Sequence, residues 1–479
     1  MIKHGLLYLL AKLVTGSIGF VSLFLYTHLL YPDEYGRYAT VLIYVSVASA
    51  LLYQWFRLGL IRFVPKYAGD ESQYRRLLRT VAAGYVGMCL LSAGVGAVLL
   101  LVTGIRLTEL ACALLLLWTS AWFELSQALQ RSNLQPVRFG IMATVKSVLI
   151  VALSVLFIEA GYGETGLLYG IAAGTAAANL LFSSEWKGIK GAPYDKRLAA
   201  QILLYGLPLM ISGSMAYVMQ SIDRLMIGWL MSDADAGVYA AGYDFSFQTV
   251  GMLMMVVNLS ALPLAIRKLE QQGEHAAREQ MSNNYQLLLL IAVPSVTGIT
   301  LLSSNLTAVI FGEHYAGSLA AILPIISFMM LVQGIKLYYT DVSYQLGRTT
   351  YWQVVPVALG ILLNIGLHYT LIPIYGLKGA AVSSLIASAL MLAANIYITQ
   401  RLFRLPYSLQ ALSRILLAAL MMGLALLPVA GMRGPFGLAV QAATGAAVYA
   451  VALVVLNEFQ IRTKLMARAR KRLETRLSE

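Results

Sequence analysis

Lys12, Arg57, Lys146 and Lys336 stand inside otherwise apolar stretches, as does Arg224, which lies beside Asp223. Glu124, Asp223, Asp244 and Asp341 share such surroundings. A charge in hydrocarbon must pair, reach the interface or face water. The positions allow two chemistries. Lysine and arginine at a water-filled cavity hold a phosphate or diphosphate, lysine as a point charge and arginine as a forked donor. A carboxylate there binds a proton or Na+ and couples movement to a gradient. The structural reading of the same residues is pairing and snorkelling. Lys336 has Asp341 one turn on, or Glu124 if the spans adjoin. Arg224 has Asp223 or, across a turn, Asp244. Lys12 and Lys146 can snorkel, and Arg57 can anchor at the interface. Glu124 and Asp244 are preferred to Asp223 and Asp341 as coupling groups. Tyr217, Tyr338 and Tyr339 are candidate glycan contacts, because sugars bind to hydrogen-bonding groups and flat aromatic faces. The alternative for tyrosines is the interfacial belt, and for Gln220, Gln248, Asn258 and Asn364 it is helix–helix bonding.

The elements that position these residues are helices of membrane-spanning length. With 59% hydrophobic and 12% charged residues and a mean hydropathy of +0.72, the chain suits lipid rather than water as its solvent. About fourteen apolar stretches run from Gly5 to Asn457. They lie near 5–30, 37–60, 80–103, 108–130, 139–159, 165–186, 201–230, 237–265, 285–311, 318–345, 350–372, 378–400, 409–430 and 437–457. Most of the 35 Lys and Arg residues fall in alternate connections and at the two ends. Only Arg37, Arg106, Lys378 and Arg433 fall on the other side. The positive-inside rule therefore predicts a multi-pass protein with both termini in the cytoplasm. The net charge of +13 is then explained by loops facing anionic headgroups, not by nucleic acid. No cleavable signal pattern is present; the first apolar run becomes the first span. Cys89 and Cys112 read as small apolar fillers, and the five histidines show no metal-ligand spacing. No nucleotide-binding loop and no sizeable polar loop carrying catalytic carboxylates is found, so no enzyme activity, cofactor or metal is expected.

An internal repeat runs through the chain. YPDEYGRYA (31–39) aligns with SDADAGVYA (232–240) on Gly36/Gly237, Tyr38/Tyr239 and Ala39/Ala240. YGETG (162–166) aligns with YGLKG (375–379) on a tyrosine and two glycines. Two ordered matches predict two homologous, parallel-repeated lobes with a cleft that opens to either face in turn. The expected organisation is an N-terminal six-helix lobe (1–186), a basic cytoplasmic linker (187–200), a second six-helix lobe (201–400), an extra helix pair (401–457) and a tail (458–479). In that tail Ile461, Leu465, Ala469, Leu473 and Leu477 recur every four residues among Lys and Arg. This pattern predicts a basic amphipathic helix on the inner leaflet, as an anchor or as a site of lipid or partner regulation. Pro208, Pro294, Pro324 and Pro356 are expected to kink spans.

Across nearly its whole length the chain resembles the polysaccharide flippase branch of the multidrug/oligosaccharidyl-lipid/polysaccharide (MOP) exporter superfamily. The likeness rests on LLYPDEYGRYA (29–39), SIDRLMIGWLMSDADAGVYAAGYDF (221–245), FGEHYAGS (311–318) and IPIYGLKGAAVSS (372–384). It implies an all-α protein of two helical bundles around a central cavity, with two further C-terminal helices. It also implies export of a polyprenyl-diphosphate-linked oligosaccharide across the bacterial inner membrane, coupled to a Na+ or proton gradient or to neither. Other polysaccharide-assembly proteins are conceivable partners. On that reading Lys12, Arg57, Lys146 and Lys336 form a loading patch for the diphosphate, and Arg224 meets it nearer the exit. A multidrug exporter of the same fold fits less well, since cationic drugs call for an acidic cavity. A lipid II flippase typically carries arginines on the first, second and eighth helices; here those helices carry Lys12, Arg57 and only Asp244. A membrane polysaccharide polymerase or glycosyltransferase would need the missing polar loop.

Overall fold

The computed structural model of the chain describes residues 2–67, 69–103, 106–186, 189, 191–347 and 349–456. Every regular element among them is helical. That is what a hydrocarbon solvent requires, because a helix satisfies its backbone groups within one segment. The chain forms two compact units, Met1–Ala241 and Gly242–Glu479. The basic tail from 457 onward, Lys187 and Lys190 of the linker, and Arg348 lie outside the described residues.

The first unit holds α1 (Ile2–Leu29), α2 (Pro32–Leu52), α3 (Gln54–Tyr67), α4 (Glu71–Thr103), α5 (Leu107–Ser132), α6 (Pro136–Phe157), α7 (Gly163–Leu181) and α8 (Lys196–Leu230). It also holds the start of α9 (Asp233–Ser246). α6 and α7 form an antiparallel hairpin, α1 packs on α6, and α5 packs on α7. α3 is seated between α5 and α8. α8, the expected seventh span, thus packs with α2, α3 and α4. α2 and α3 form one run broken at Tyr53, whose backbone leaves the helical region (φ −123°, ψ −17°). The break turns α3 so that Gln54 and Arg57 present a new face.

The repeat motifs are helix starts rather than connecting turns. α2 opens at Pro32 with Asp33 and Glu34 in its first turn. The Glu34 carboxylate accepts the Tyr31 backbone N–H at 2.9 Å, the reach-back of a capping box. α9 likewise opens on Asp233 and Asp235, after Ser232 exchanges hydrogen bonds with Asp235. The two starts touch through their matched glycines. A Cβ on Gly36 would lie 1.9 Å from the Asp233 carbonyl oxygen, and one on Gly237 would lie 1.8 Å from that of Pro32. Pro32 aligns with Asp233, so this contact is reciprocal under the repeat, and only glycine permits it.

The second unit continues with α10 (Met252–Ile310), α11 (Glu313–Ile335), α12 (Val342–Leu346), α13 (Val354–Leu402), α14 (Leu409–Leu426) and α15 (Gly434–Val455). α10 bends at Gly273 and α13 folds back at Gly376. The fold-back brings Ser383 to the Leu367 carbonyl at 3.1 Å. Asn305 docks the C-terminal pair: its amide donates to Gln441 and its oxygen accepts the Gly434 N–H, each at 2.9 Å. Ten helical runs are long and apolar enough to cross a membrane. Three of them contain a glycine of positive φ (Gly161, Gly273, Gly376) at which the helix breaks, so runs and expected crossings are different counts. Prolines contribute less than expected. Pro294 and Pro324 lie within helices, while Pro356 sits in the first turn of α13, where no intrahelical hydrogen bond is lost.

Candidate functional site

Five helices of the first unit converge on a cavity of about 170 Å³. α2 lines it with Leu42, Val45, Ser46, Ser49 and Ala50, one helical face at i, i+3, i+4, i+7 and i+8. α3 contributes Gln54 and Arg57, α5 contributes Ser120 and Glu124, α6 contributes Lys146 and α8 contributes Tyr217. Each polar pair on one helix is three or four residues apart, so both members point the same way. Arg57 Nη1 lies 3.3 Å from Glu124 Oε2, and both side chains are partly exposed. An ion pair of that kind is worth about 0–1 kcal/mol, weak enough for a stronger anion to displace. The Lys146 ammonium lies over the Phe123 ring, 4.5 Å from its centroid, a contact of about 0.5–2 kcal/mol. Two cations face one carboxylate, so the cavity carries an excess of positive charge and has polar neighbours for an oxygen-rich ligand.

The cationic character continues beyond the cavity. The charged groups acting on Lys146 are Glu124 and Lys12, and the group acting on Lys12 is Arg131, in the last turn of α5. Arg131, Lys12, Lys146 and Arg57 therefore form a sequence of positive charges, each within Coulombic reach of its neighbour or sharing its cavity. Lys12 is exposed on α1 and does not line the cavity itself.

Arg57, Lys146, Glu124 and Tyr217 are brought together as the sequence suggested; the other candidates lie elsewhere. Asp223 on α8 is buried and accepts the Tyr239 hydroxyl at 2.9 Å, while Arg224 donates to the Gln220 carbonyl within its own helix. Asp244 is half-buried in the second unit. Lys336, expected in the loading patch, is buried with its Nζ 2.8 Å from Asp341. The reason is a π-helical turn, Lys336–Thr340, whose i→i+5 bond (Asp341 N to Lys336 O, 2.9 Å) stacks the two residues on one face. Asp341 also accepts from Gln353 at 3.0 Å and from Asn395 at 2.9 Å. Lys336 is thus committed to an internal network. Tyr339, expected on the glycan, is fully buried against Tyr285 and Tyr407 and donates its hydroxyl to the Pro406 carbonyl. In this conformation it offers no ring face to a ligand. Tyr338 is half-buried outside the cavity. Ser46, Ser49, Gln54 and Ser120 were missed; their i, i+3 and i, i+4 spacing to each other or to the charges was the signal that marked them.

Fold and cavity define a multi-pass membrane protein built like a transporter. The polysaccharide biosynthesis protein family matches residues 25–320, and the chain belongs to it. Its fold is that of the MOP exporters. The lipid II flippase MurJ in an inward closed conformation superposes with a TM-score of 0.76 at 15% identity, covering 95% of this chain and 100% of that one. An inward-facing multidrug resistance MATE family transporter gives 0.64 at 12% identity, covering 83% and 97%. A MOP superfamily transporter from Pyrococcus furiosus, described by a binding pocket of reverse polarity, gives 0.59 at 12% identity, covering 83% and 95%. No curated protein matches the chain in sequence.

Proposed function

We propose that the chain is a flippase. It carries a polyprenyl-diphosphate-linked oligosaccharide from the cytoplasmic to the outer leaflet of the bacterial inner membrane, for surface polysaccharide biosynthesis. The observation that carries this reading is the cavity in which Arg57 and Lys146 face Glu124 and Tyr217. The family and the flippase fold support it. A diphosphate approaching from the inner leaflet meets Arg131 and Lys12 first, then Lys146 and Arg57, and displaces Glu124 from Arg57. Cation–diphosphate contacts replace a weak ion pair, so loading is favourable without a tight clamp. Movement follows by alternating access of two six-span lobes, 1–186 and 201–400. Arg224 acts nearer the exit. No covalent bond changes, and the step needs no cofactor. Freed of Arg57, Glu124 takes up a proton or Na+, which would link loading to a gradient. Asp223, Asp244 and Asp341 are further coupling positions. The termini lie in the cytoplasm.

A multidrug exporter of cations is disfavoured by the positive balance of the cavity. The deciding experiment uses the purified chain in proteoliposomes without nucleotide. Transbilayer movement of a polyprenyl-diphosphate oligosaccharide is followed with and without an imposed Na+ or proton gradient, beside a cationic-dye efflux control. Glycolipid movement without dye efflux is expected; dye efflux without glycolipid movement overturns the reading.

A further inference from the structure

A second cavity lies on the other side of α3, away from Gln54 and Arg57. It is larger, about 540 Å³, and is a slot between α4 and the start of α8. That size is within the roughly 300–1,000 Å³ of small-ligand sites. Its floor is the stacked pair Trp55 and Phe56, with ring centroids 3.6 Å apart. Its walls are almost wholly apolar, with Gly84 and Gly87 on one side and Ile202 and Leu203 on the other. Gly84 is filled by the Phe56 ring, since a Cβ there would meet Phe56 Cε1 at 2.5 Å. Gly87 has open space instead, with nothing within 4 Å of where a Cβ would sit. The flanks are exposed and apolar, including Val86, Leu90 and Leu204, so the slot opens to lipid rather than to water.

One end of the slot is charged. Lys196 and Tyr194 line it there, and Arg75, Arg76, Arg79 and Arg197 lie within a turn or two along α4 and α8. The nearby carboxylates are already engaged. Glu71 pairs with Arg75 at 2.7 Å. Asp195 lies 3.6 Å from Arg76 and caps α8 by accepting the Arg197 and Leu198 N–H groups. Among the described residues Arg79, Lys196 and Arg197 have no carboxylate partner. An apolar slot with a cationic mouth at a helix start fits an amphiphile with one hydrocarbon chain and one anionic head.

We propose that this slot binds an anionic phospholipid of the leaflet at the Lys196 end, one acyl chain lying between α4 and α8 over Trp55 and Phe56, its phosphate at Lys196. The site is separate from the Arg57 cavity and does not rest on the transport reading. Its test needs binding only. The purified full-length chain is equilibrated in mixed micelles with phosphatidylglycerol carrying a photoreactive acyl chain, or with matched phosphatidylcholine, irradiated and mapped by peptide mass spectrometry. Labelling of 80–88 and 194–203 should be about five-fold greater with phosphatidylglycerol, the factor expected for one interfacial cation. Lys196→Gln, an exposed change without effect on folding, should remove that preference. Gly87→Trp should fill the open floor and abolish labelling of these segments, while the exposed apolar face of α14 labels as before. Equal labelling by the two lipids, or labelling indifferent to Lys196→Gln and Gly87→Trp, overturns the proposal. So does displacement of the probe by a polyprenyl phosphate at concentrations where unlabelled phosphatidylglycerol does nothing, which would give the slot to a substrate chain.

Discussion

Arg57 and Lys336 show how one residue-level chemistry has two outcomes, decided by what the neighbouring carboxylate is asked to do. Glu124 meets Arg57 at 3.3 Å with both side chains partly exposed, so the pair is exchangeable. Asp341 meets Lys336 at 2.8 Å with side-chain exposures of 4% and 7%, and its remaining acceptor capacity is used by Gln353 and Asn395. Substitutions should separate the two. Arg57→Ala and Lys146→Ala each remove a charge-assisted contact worth about 1.5–3 kcal/mol. Initial flipping rates in proteoliposomes should fall by at least about ten-fold, with membrane insertion and thermal stability unchanged. Lys336→Met should instead destabilise the protein by about 3–5 kcal/mol, because it strands a buried carboxylate. The double change Lys336→Met with Asp341→Asn should recover most of that loss in a detergent melting experiment. A Lys336→Met protein of normal stability and no transport would return Lys336 to the loading patch. The sequence located Arg57, Glu124, Lys146 and Tyr217 because in-span charge and aromatic residues are conspicuous. It did not show Lys336 as internal, because a residue five positions away is off-face in an α-helix and on-face only across a π-helical turn.

At the scale of the element, the internal repeat is legible in backbone geometry. Gly163 and Gly376, matched by sequence, adopt nearly the same conformation (φ 50°, ψ −134° and φ 57°, ψ −138°). The glycines three residues on are each pressed against the returning helix. A Cβ on Gly166 would meet the Phe157 carbonyl oxygen at 2.9 Å, and one on Gly379 would meet that of Leu371 at 2.2 Å. Gly376→Ala should therefore cost about 1–3 kcal/mol, read as a lowered melting temperature, whereas Gly366→Ala, at an open helical position, should be neutral or mildly stabilising. Helix ends were less legible than helices. YPDEYGRYA read as a connection because it is polar, yet its proline and acidic residues are the first turn of α2. The Gly36–Gly237 approach was hidden for a related reason: the alignment paired the glycines but gave no sign that they touch. Gly237→Ala forbids that approach, so it should favour conformations in which the starts of α2 and α9 are apart. In a chain with Cys89 and Cys112 replaced, a cysteine at Ala234 should then react faster with a water-soluble maleimide. An unchanged rate would make the contact incidental to the conformational equilibrium.

For the molecule as a whole, the direction of transport depends on which end of each helix meets the cytoplasm, and charge is the only term that sets it. Apolar helices are indifferent to being inverted; the cations between them are not, since each Lys or Arg near an anionic leaflet is worth about 1 kcal/mol and resists translocation. Arg131 closes α5 and Arg197 opens α8, on the cation-rich side, while Arg106 opens α5 and Arg433 opens α15 on the poor side. The succession Arg131, Lys12, Lys146, Arg57 leads inward from the rich side, where a diphosphate made in the cytoplasm would be waiting. Orientation and function are therefore one hypothesis at this scale. Single cysteines at positions 106 and 433 should react with an impermeant maleimide added outside intact cells. Cysteines at 131 and 197 should react only after the membrane is opened. If 131 reacts from outside, the cationic approach to the cavity begins on the outer face. The Arg57 cavity would then be loaded from the leaflet that the proposed cargo is meant to reach, and export in the proposed direction would lose its physical basis even with the fold unchanged.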